Sequence, residues 1–140
     1  MILPDVNVLL HAMNRGAPQH MVAHAALQEA YRSGPVALAW PALLGFVRLA
    51  TRSGILPRPL GVEQAMDVVH AWLDHPSSVL VHPGAQHLAL LRRLLVGIGQ
   101  GGPIVSDAHL AALAIEQGAT LLTFDRDFAR FAGVRLKPLV

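Results

Sequence analysis

Three acidic residues, separated by most of the chain, are the first candidates for chemistry. Asp5 follows a short apolar run, Ile2-Leu3, that Pro4 brings to an end, and Asp125 follows the longer run Ala119–Phe124. Asp107 opens a helical segment directly after the glycine-rich stretch Gly97–Pro103, and Asp127 stands two residues beyond Asp125. Carboxylates brought together repel and raise one another's pKa, so a cluster of them usually needs a cation. An all-oxygen donor set selects a hard divalent ion, Mg2+ or Mn2+. Such an ion can activate water and stabilise charge on a phosphodiester during hydrolysis. Taken singly, each acid is better explained as structure: a strand-end Asp starts a turn, and Asp107 beside Ser106 suits the dipole of a helix first turn. Their spacing matches no local metal signature. Only convergence would make them a site, and convergence depends on the elements that carry them.

Those elements alternate. Ile2-Leu3 reads as a strand ending at residue 4 or 5, and Val6–Ala12 as a helix. After the break at Gly16-Ala17-Pro18, His20–Tyr31 is a helix with Met21, Ala25, Leu27 and Ala30 on one face, and Val36–Trp40 is a second strand. Pro41 suits the first turn of a helix over Ala42–Arg52, with Leu43, Phe46, Val47 and Ala50 inward. A Pro/Gly-rich loop from Gly54 to Gly61 precedes a helix over Val62–Leu73 and a third strand at Val79–Val81. His87–Val96 is helical, and Ser106 is expected to cap a helix to Glu116 that Gly118 stops. Ala119–Phe124 is the fourth strand, Asp127–Phe131 a helical turn and Val134–Leu136 a short fifth strand. Short apolar strands between helices predict a three-layer α/β/α fold around a mainly parallel sheet of four to five strands, with residues 1–140 forming one domain. In such sheets ligands bind beyond the carboxyl ends of the strands, where Asp5 and Asp125 stand.

Composition narrows the function. The chain has 140 residues, 53% of them hydrophobic and 14% charged, which excludes a disordered tail. There is no cysteine, so disulfides, zinc ribbons and thiol nucleophiles are excluded. Eleven basic against nine acidic side chains give a formal charge of +2, which permits an RNA partner and argues little for one. Ten of the eleven are arginine, the residue whose fork matches a phosphate. No segment reads as a membrane span. Met1–Asp5 lacks the basic region and long apolar core of a signal peptide, so a cytoplasmic setting is expected. A mean hydropathy of +0.44 is high for a chain of this size and predicts apolar surface covered by a second copy, as a homodimer, or by a partner.

Three blocks carry a family resemblance. Asp5-Val6-Asn7-Val8-Leu9, the segment Ser106-Asp107-Ala108-His109-Leu110-Ala111-Ala112-Leu113-Ala114, and Thr123-Phe124-Asp125-Arg126-Asp127-Phe128 resemble PIN-domain proteins. The match is with the VapC toxins of bacterial VapBC toxin–antitoxin pairs, particularly the mycobacterial type. Gly45-Phe46-Val47-Arg48-Leu49-Ala50-Thr51 also resembles a third-helix segment of that group. The resemblance runs along nearly the whole chain with its blocks in order. It implies a PIN fold, Mg2+-dependent endoribonuclease activity with Mn2+ as an alternative ion, a homodimer and a cognate VapB-type antitoxin. It also implies Asp5, Asp107 and Asp125 as the acidic site, Asp127 as a marginal fourth member, and Asn7 and Thr123 as polar supports. One departure matters. The family usually places a Glu on the third helix, near Leu43–Gly45 here, yet this chain has no acid between Glu29 and Glu63. One carboxylate fewer weakens the hold on a cation.

The remaining candidates are weaker. His20 and His24 share a helix face without an intervening Glu, so they read as a solvated surface rather than a zinc-protease motif. His109 is either an RNA contact or an ordinary helix residue. Arg48 and Arg52 share one helix face and Arg126 and Arg130 another, the latter beside the acids; of these, Arg48 and Arg126 are the favoured RNA contacts and the others read as solvated surface, while Trp40 and Trp72 read as core or dimer-interface residues. Gly97–Gly102 lacks the Lys-Ser or Lys-Thr of a phosphate loop. A different class of function also fits: a catalytically weak PIN fold that binds RNA or its antitoxin without cutting, favoured by the missing helix Glu. A haloacid-dehalogenase-like phosphotransferase with Asp5 as nucleophile is disfavoured, because position 7 is Asn and the sole lysine is Lys137.

Overall fold

The computed structural model describes residues 1–140. Five strands, β1 (Ile2–Pro4), β2 (Val36–Ala39), β3 (Ser78–Val81), β4 (Thr120–Thr123) and β5 (Arg135–Pro138), form one sheet in the order β3-β2-β1-β4-β5. Every pairing is parallel. Six helices cover it: α1 (Val6–Met13), α2 (His20–Ser33), α3 (Trp40–Ala50), α4 (Val62–Asp74), α5 (His87–Ile98) and α6 (Ile104–Gln117). A 3-10 turn spans Arg126–Arg130.

The period-two geometry of a strand sorts its side chains into two cores. Leu3, Ala37, Ala39 and Leu121 face α5 and α6, where they meet Leu94, Ala108, Ala111 and Ala112. Val36 and Leu38 face the other way, onto Leu9, Leu27, Leu43 and Phe46 of α1 to α3. Burying each Leu or Phe in these layers stabilises the fold by about 1.5–3 kcal/mol. The alanines of α6 let that helix lie close to the sheet, which brings its N-terminal turn to the strand ends.

Topology makes the opening. From central β1 the chain builds outward through β2 and β3, then crosses to β4 on the other side of β1. Connections therefore diverge at the carboxyl ends of β1 and β4, leaving a crevice there. Asp5 follows β1 and Asp125 follows β4.

The structure corrects several boundaries. Trp40 opens α3 instead of closing β2, with Pro41 in the first turn as expected. Ser106 does not cap α6, which starts two residues earlier at Ile104. Gly102 takes φ +71° and Pro103, at φ −59°, already has helical backbone, so the reversal and the first turn are set before Ser106. On α2 the inward residues are Ala23, Leu27 and Ala30, while Met21 and Ala25 point to solvent. The fifth strand is Arg135–Pro138; Pro138 is tolerated because β5 is an edge. Trp72 packs edge-on to Phe46 at 4.8 Å as part of the core, whereas Trp40 is exposed.

Candidate active site

Asp5 is placed by three constraints. Its backbone N–H donates to the Leu122 carbonyl at 2.9 Å, extending the β1–β4 ladder past the last strand residue. Its extended backbone makes it the N-cap of α1, and its Oδ1 accepts from the Val6 N–H at 2.7 Å. Its Oδ2 accepts from the Thr123 hydroxyl at 2.8 Å, a buried contact across 118 residues of sequence. The side chain is 7% exposed. Burial pushes its carboxyl above the ordinary range, the bonds from Thr123 and Val6 oppose that, and the nearby Asp125 charge adds to it.

Thr123 joins the two strand ends. Besides donating to Asp5, its Oγ1 accepts from the Asp125 N–H at 2.9 Å. Asp125 Oδ1 in turn accepts from the Asp127 N–H at 2.9 Å, capping the 3-10 turn. Asn7 Oδ1 accepts from the Phe124 N–H at 3.4 Å, tying α1 to the same corner. A continuous chain of hydrogen bonds thus runs from Val6 through Asp5, Thr123 and Asp125 to Asp127.

Asp107 reaches this corner from the first turn of α6. Its carboxyl is pushed up to about 6, chiefly by burial and then by the charges of Asp5, Asp125 and Asp127. Four acids predicted from distant segments therefore share one electrostatic neighbourhood, and Asp107 feels the other three.

The donor set fits a hard divalent ion. It consists of carboxylate oxygens alone, and each Asp5 oxygen accepts one hydrogen bond, which leaves further lone-pair capacity on both. No three acidic or histidine side chains stand close enough to enclose an ion by themselves. That suits Mg2+, which keeps several waters and takes one or two protein carboxylates.

Comparison with known proteins follows from this geometry. Residues 2–134 match the PIN domain family model. The chain belongs to the PIN-domain family. It is 46% identical over 136 residues to Ribonuclease VapC37 of Mycobacterium tuberculosis, an alignment covering 96% of this chain and 94% of that one. It is 40% identical to Ribonuclease VapC33 of the same species, with 96% and 95% covered. Two solved structures share the fold at low identity. The structure of VapBC2 from Rickettsia felis bound to a promoter DNA fragment superposes with a TM-score of 0.71 at 19% identity, covering 99% of this chain and 98% of that one. VapC20 of M. tuberculosis, a sarcin-ricin loop cleaving toxin, gives 0.66 at 20% identity, covering 96% and 99%.

Within this PIN domain, α3 carries no acid. Leu43 and Phe46 are fully buried, and Gly45 lies so close to α1 that an added Cβ would stand 2.8 Å from Val6 Cγ2. Arg48 and Arg126 are exposed, and neither has a carboxylate partner within 4 Å. His20 Nδ1–H donates to the His11 carbonyl at 2.9 Å, and His24 is exposed. His109 turns away from the acids. Its Nδ1 is 2.8 Å from His87 Nε2, and His87 Nδ1 is 2.8 Å from Glu116 Oε1. Burial and the facing His87 hold the His109 imidazole below its ordinary pKa, against the pull of Glu116. This His-His-Glu chain was not visible in the sequence, since its members lie 22 and 29 residues apart. No helix is long and apolar enough to cross a membrane.

Proposed function

We propose that this chain is an endoribonuclease toxin of a type II toxin–antitoxin pair, acting in the cytoplasm and dependent on Mg2+, with Mn2+ as a substitute. The observation that carries this reading is the placement of Asp5, Asp107, Asp125 and Asp127 at the sheet's switch point, where a hydrogen-bond chain links Asp5, Asp125 and Asp127 and where the Asp107 carboxyl, raised chiefly by burial, also feels the other three charges. Asp5, Asp107 and Asp125 would hold the ion, one or two of them directly and the rest through its waters, with Asp127 at the margin. The ion, when bound, would lower the pKa of water and neutralise charge on a phosphodiester.

The protein's own contribution is to keep these oxygens in place. Thr123 and the Val6 N–H hold both oxygens of Asp5, and they favour its charged form despite burial. Asn7 and Thr123 fix the loop that carries Asp125. Asp107, titrating near 6, is half-protonated in mildly acidic solution and loses its proton as a cation is taken up.

The relatives named as VapC ribonucleases and the VapBC assemblies among the similar folds support a VapB-type antitoxin as partner. Trp40 and Leu44 on α3, with Val62 and Met66 on α4, leave apolar side chains on the surface, which supports a homodimer. Sedimentation of the chain alone at micromolar concentration tests the dimer.

The deciding experiment is cleavage of total RNA with Mg2+, with Mn2+ and in excess EDTA. Cleavage restored by either ion and abolished by EDTA is expected; full activity in EDTA overturns the metal dependence. The absence of any acid from Glu29 to Glu63 favours a second reading, a weak or inactive PIN fold that binds RNA or antitoxin. A protein inert at every metal concentration, yet retaining RNA, would decide for it.

A further inference from the structure

Arg130 is the one cationic side chain that lines the cleft beside the acidic corner. A cleft of about 210 Å3 opens beside the acids, and Asp107, Asp127, Gln100, Pro103, Phe131 and Arg130 are among its walls. Arg126, which precedes Asp127, does not line it. Arg130 stands at the end of the 3-10 turn, between the buried side chains of Phe128 and Phe131, so its backbone is anchored although its side chain is exposed. Its Nη2 donates to Gln100 Oε1 at 3.0 Å, across to the turn between α5 and α6.

The choice of partner matters. Gln100 offers a neutral amide oxygen, and no carboxylate lies within 4 Å of Arg130, so its charge stays uncompensated despite the acids nearby. One N–H of five is spent on orientation, leaving the others free to donate. A group of four carboxylates repels a polyanion. An oriented guanidinium on the wall of the same cleft supplies the opposite charge, in a fork that matches two phosphate oxygens.

We propose that Arg130, oriented by Gln100, binds a backbone phosphate of RNA and so seats the strand against the acidic corner. This rests on the nuclease reading above and adds to it a specific substrate contact. The contact reads phosphate, so it is indifferent to base sequence.

The test separates binding from cutting. A short fluorescein-labelled single-stranded oligoribonucleotide is titrated with Asp5→Asn protein, to prevent cleavage, and anisotropy is followed across a salt series. Adding Arg130→Ala should weaken binding about fivefold to tenfold for unrelated sequences and reduce the slope of log K against log salt by about 0.7. Arg130→Lys should restore the slope and only part of the affinity, because a point charge lacks the fork. Gln100→Ala should weaken affinity while keeping the slope. Arg32→Ala on α2 removes a charge far from the cleft and sets the background. Arg130→Ala indistinguishable from Arg32→Ala in affinity and slope overturns the proposal, as does failure of the parent protein to bind the strand. Cleavage by the Asp5→Asn protein would overturn the nuclease site instead, leaving the Arg130 result to stand on its slope. Melting temperature serves as the folding control.

Discussion

Replacing Asp107 with Asn should stabilise the metal-free protein at neutral pH. The folded state raises this carboxyl from 3.8 to about 6, through burial and the charges of Asp5, Asp125 and Asp127. A group whose folded pKa lies above its unfolded value contributes stability that is complete below the unfolded value and is lost as pH rises through the folded one. For Asp107 that window runs from about pH 4 to pH 6, and above it the ionised carboxylate is a burden on the fold. A change of this size would be worth ~3 kcal/mol for a fully shielded group. Asp107 is half open to solvent, and screening lowers the figure to about 1–2 kcal/mol. Asn keeps the shape and carries no charge, so in EDTA at pH 7.5 Asp107→Asn should melt about 3–6 °C above the wild type. Toward pH 4 the two curves should draw together, because the wild-type carboxyl is then protonated in the folded state and about half protonated in the unfolded one. Thermal denaturation followed by circular dichroism between pH 4 and 8 measures this directly. A variant that melts at or below the wild type at pH 7.5, or a gap that stays constant down to pH 4, would refute the claim that the fold raises the Asp107 carboxyl.

The other perturbations address the supports of the site. Asp5→Asn should abolish RNA cleavage and any rise in melting temperature caused by Mg2+, with an unchanged circular dichroism spectrum; retained cleavage counts against Asp5 as a member of the site. Thr123→Val should cost about 1–3 kcal/mol in urea denaturation, since it leaves a buried Asp5 oxygen and the Asp125 N–H without their partner, whereas Thr123→Ser should retain most of the stability. Gly45→Ala should cost about 1–3 kcal/mol because its Cβ meets Val6 Cγ2 at 2.8 Å, and an unaltered melting temperature would show that α1 and α3 separate freely. Glu116→Gln should cost about 1–2 kcal/mol, because a nearly buried carboxylate that accepts from both His87 and the Gly84 N–H is replaced by an amide with a single acceptor oxygen.

What could be read from the chain, and what could not, divides along a physical line. Strand ends are local events: an apolar run meets Pro4-Asp5 or Phe124-Asp125, and the parallel topology then dictates which ends share a rim. The acids, the alternation of strands and helices and the parallel sheet were legible for that reason. Bonds between residues far apart in sequence were not. Thr123 has the β-branched form of any strand residue; family resemblance marked it as a support, but nothing local shows that its hydroxyl serves Asp5 and the Asp125 amide together. Arg130 and Gln100 are exposed polar residues 30 positions apart; the sequence places Arg126 and Arg130 together beside the acids, but only the bond to Gln100 distinguishes Arg130. The error at Ser106 has a different origin. A serine before an acid is a fair cap signal, but a proline three residues earlier with helical φ takes precedence.

The unusual α3 alters how the corner must work. With Leu43 and Phe46 buried, and Gly45 pressed against Val6, this helix acts as a wall behind the residue that follows Asp5, and it contributes no charge. A carboxylate on that face would add to a site where Asp107 already titrates near 6, and it would bind a cation more tightly at the cost of greater repulsion without one. Leaving it out shifts the balance toward a corner that folds without an ion and, on the proposed reading, would hold one weakly. A weakly held ion needs a second means of retaining substrate, because the phosphate can no longer rely on the cation alone to offset the acids. Arg130 has the position, the unneutralised charge and the orientation for that role. On that reading the missing acid and the oriented arginine are two sides of one electrostatic arrangement, with positive charge supplied by the protein where an ion would be loosely bound.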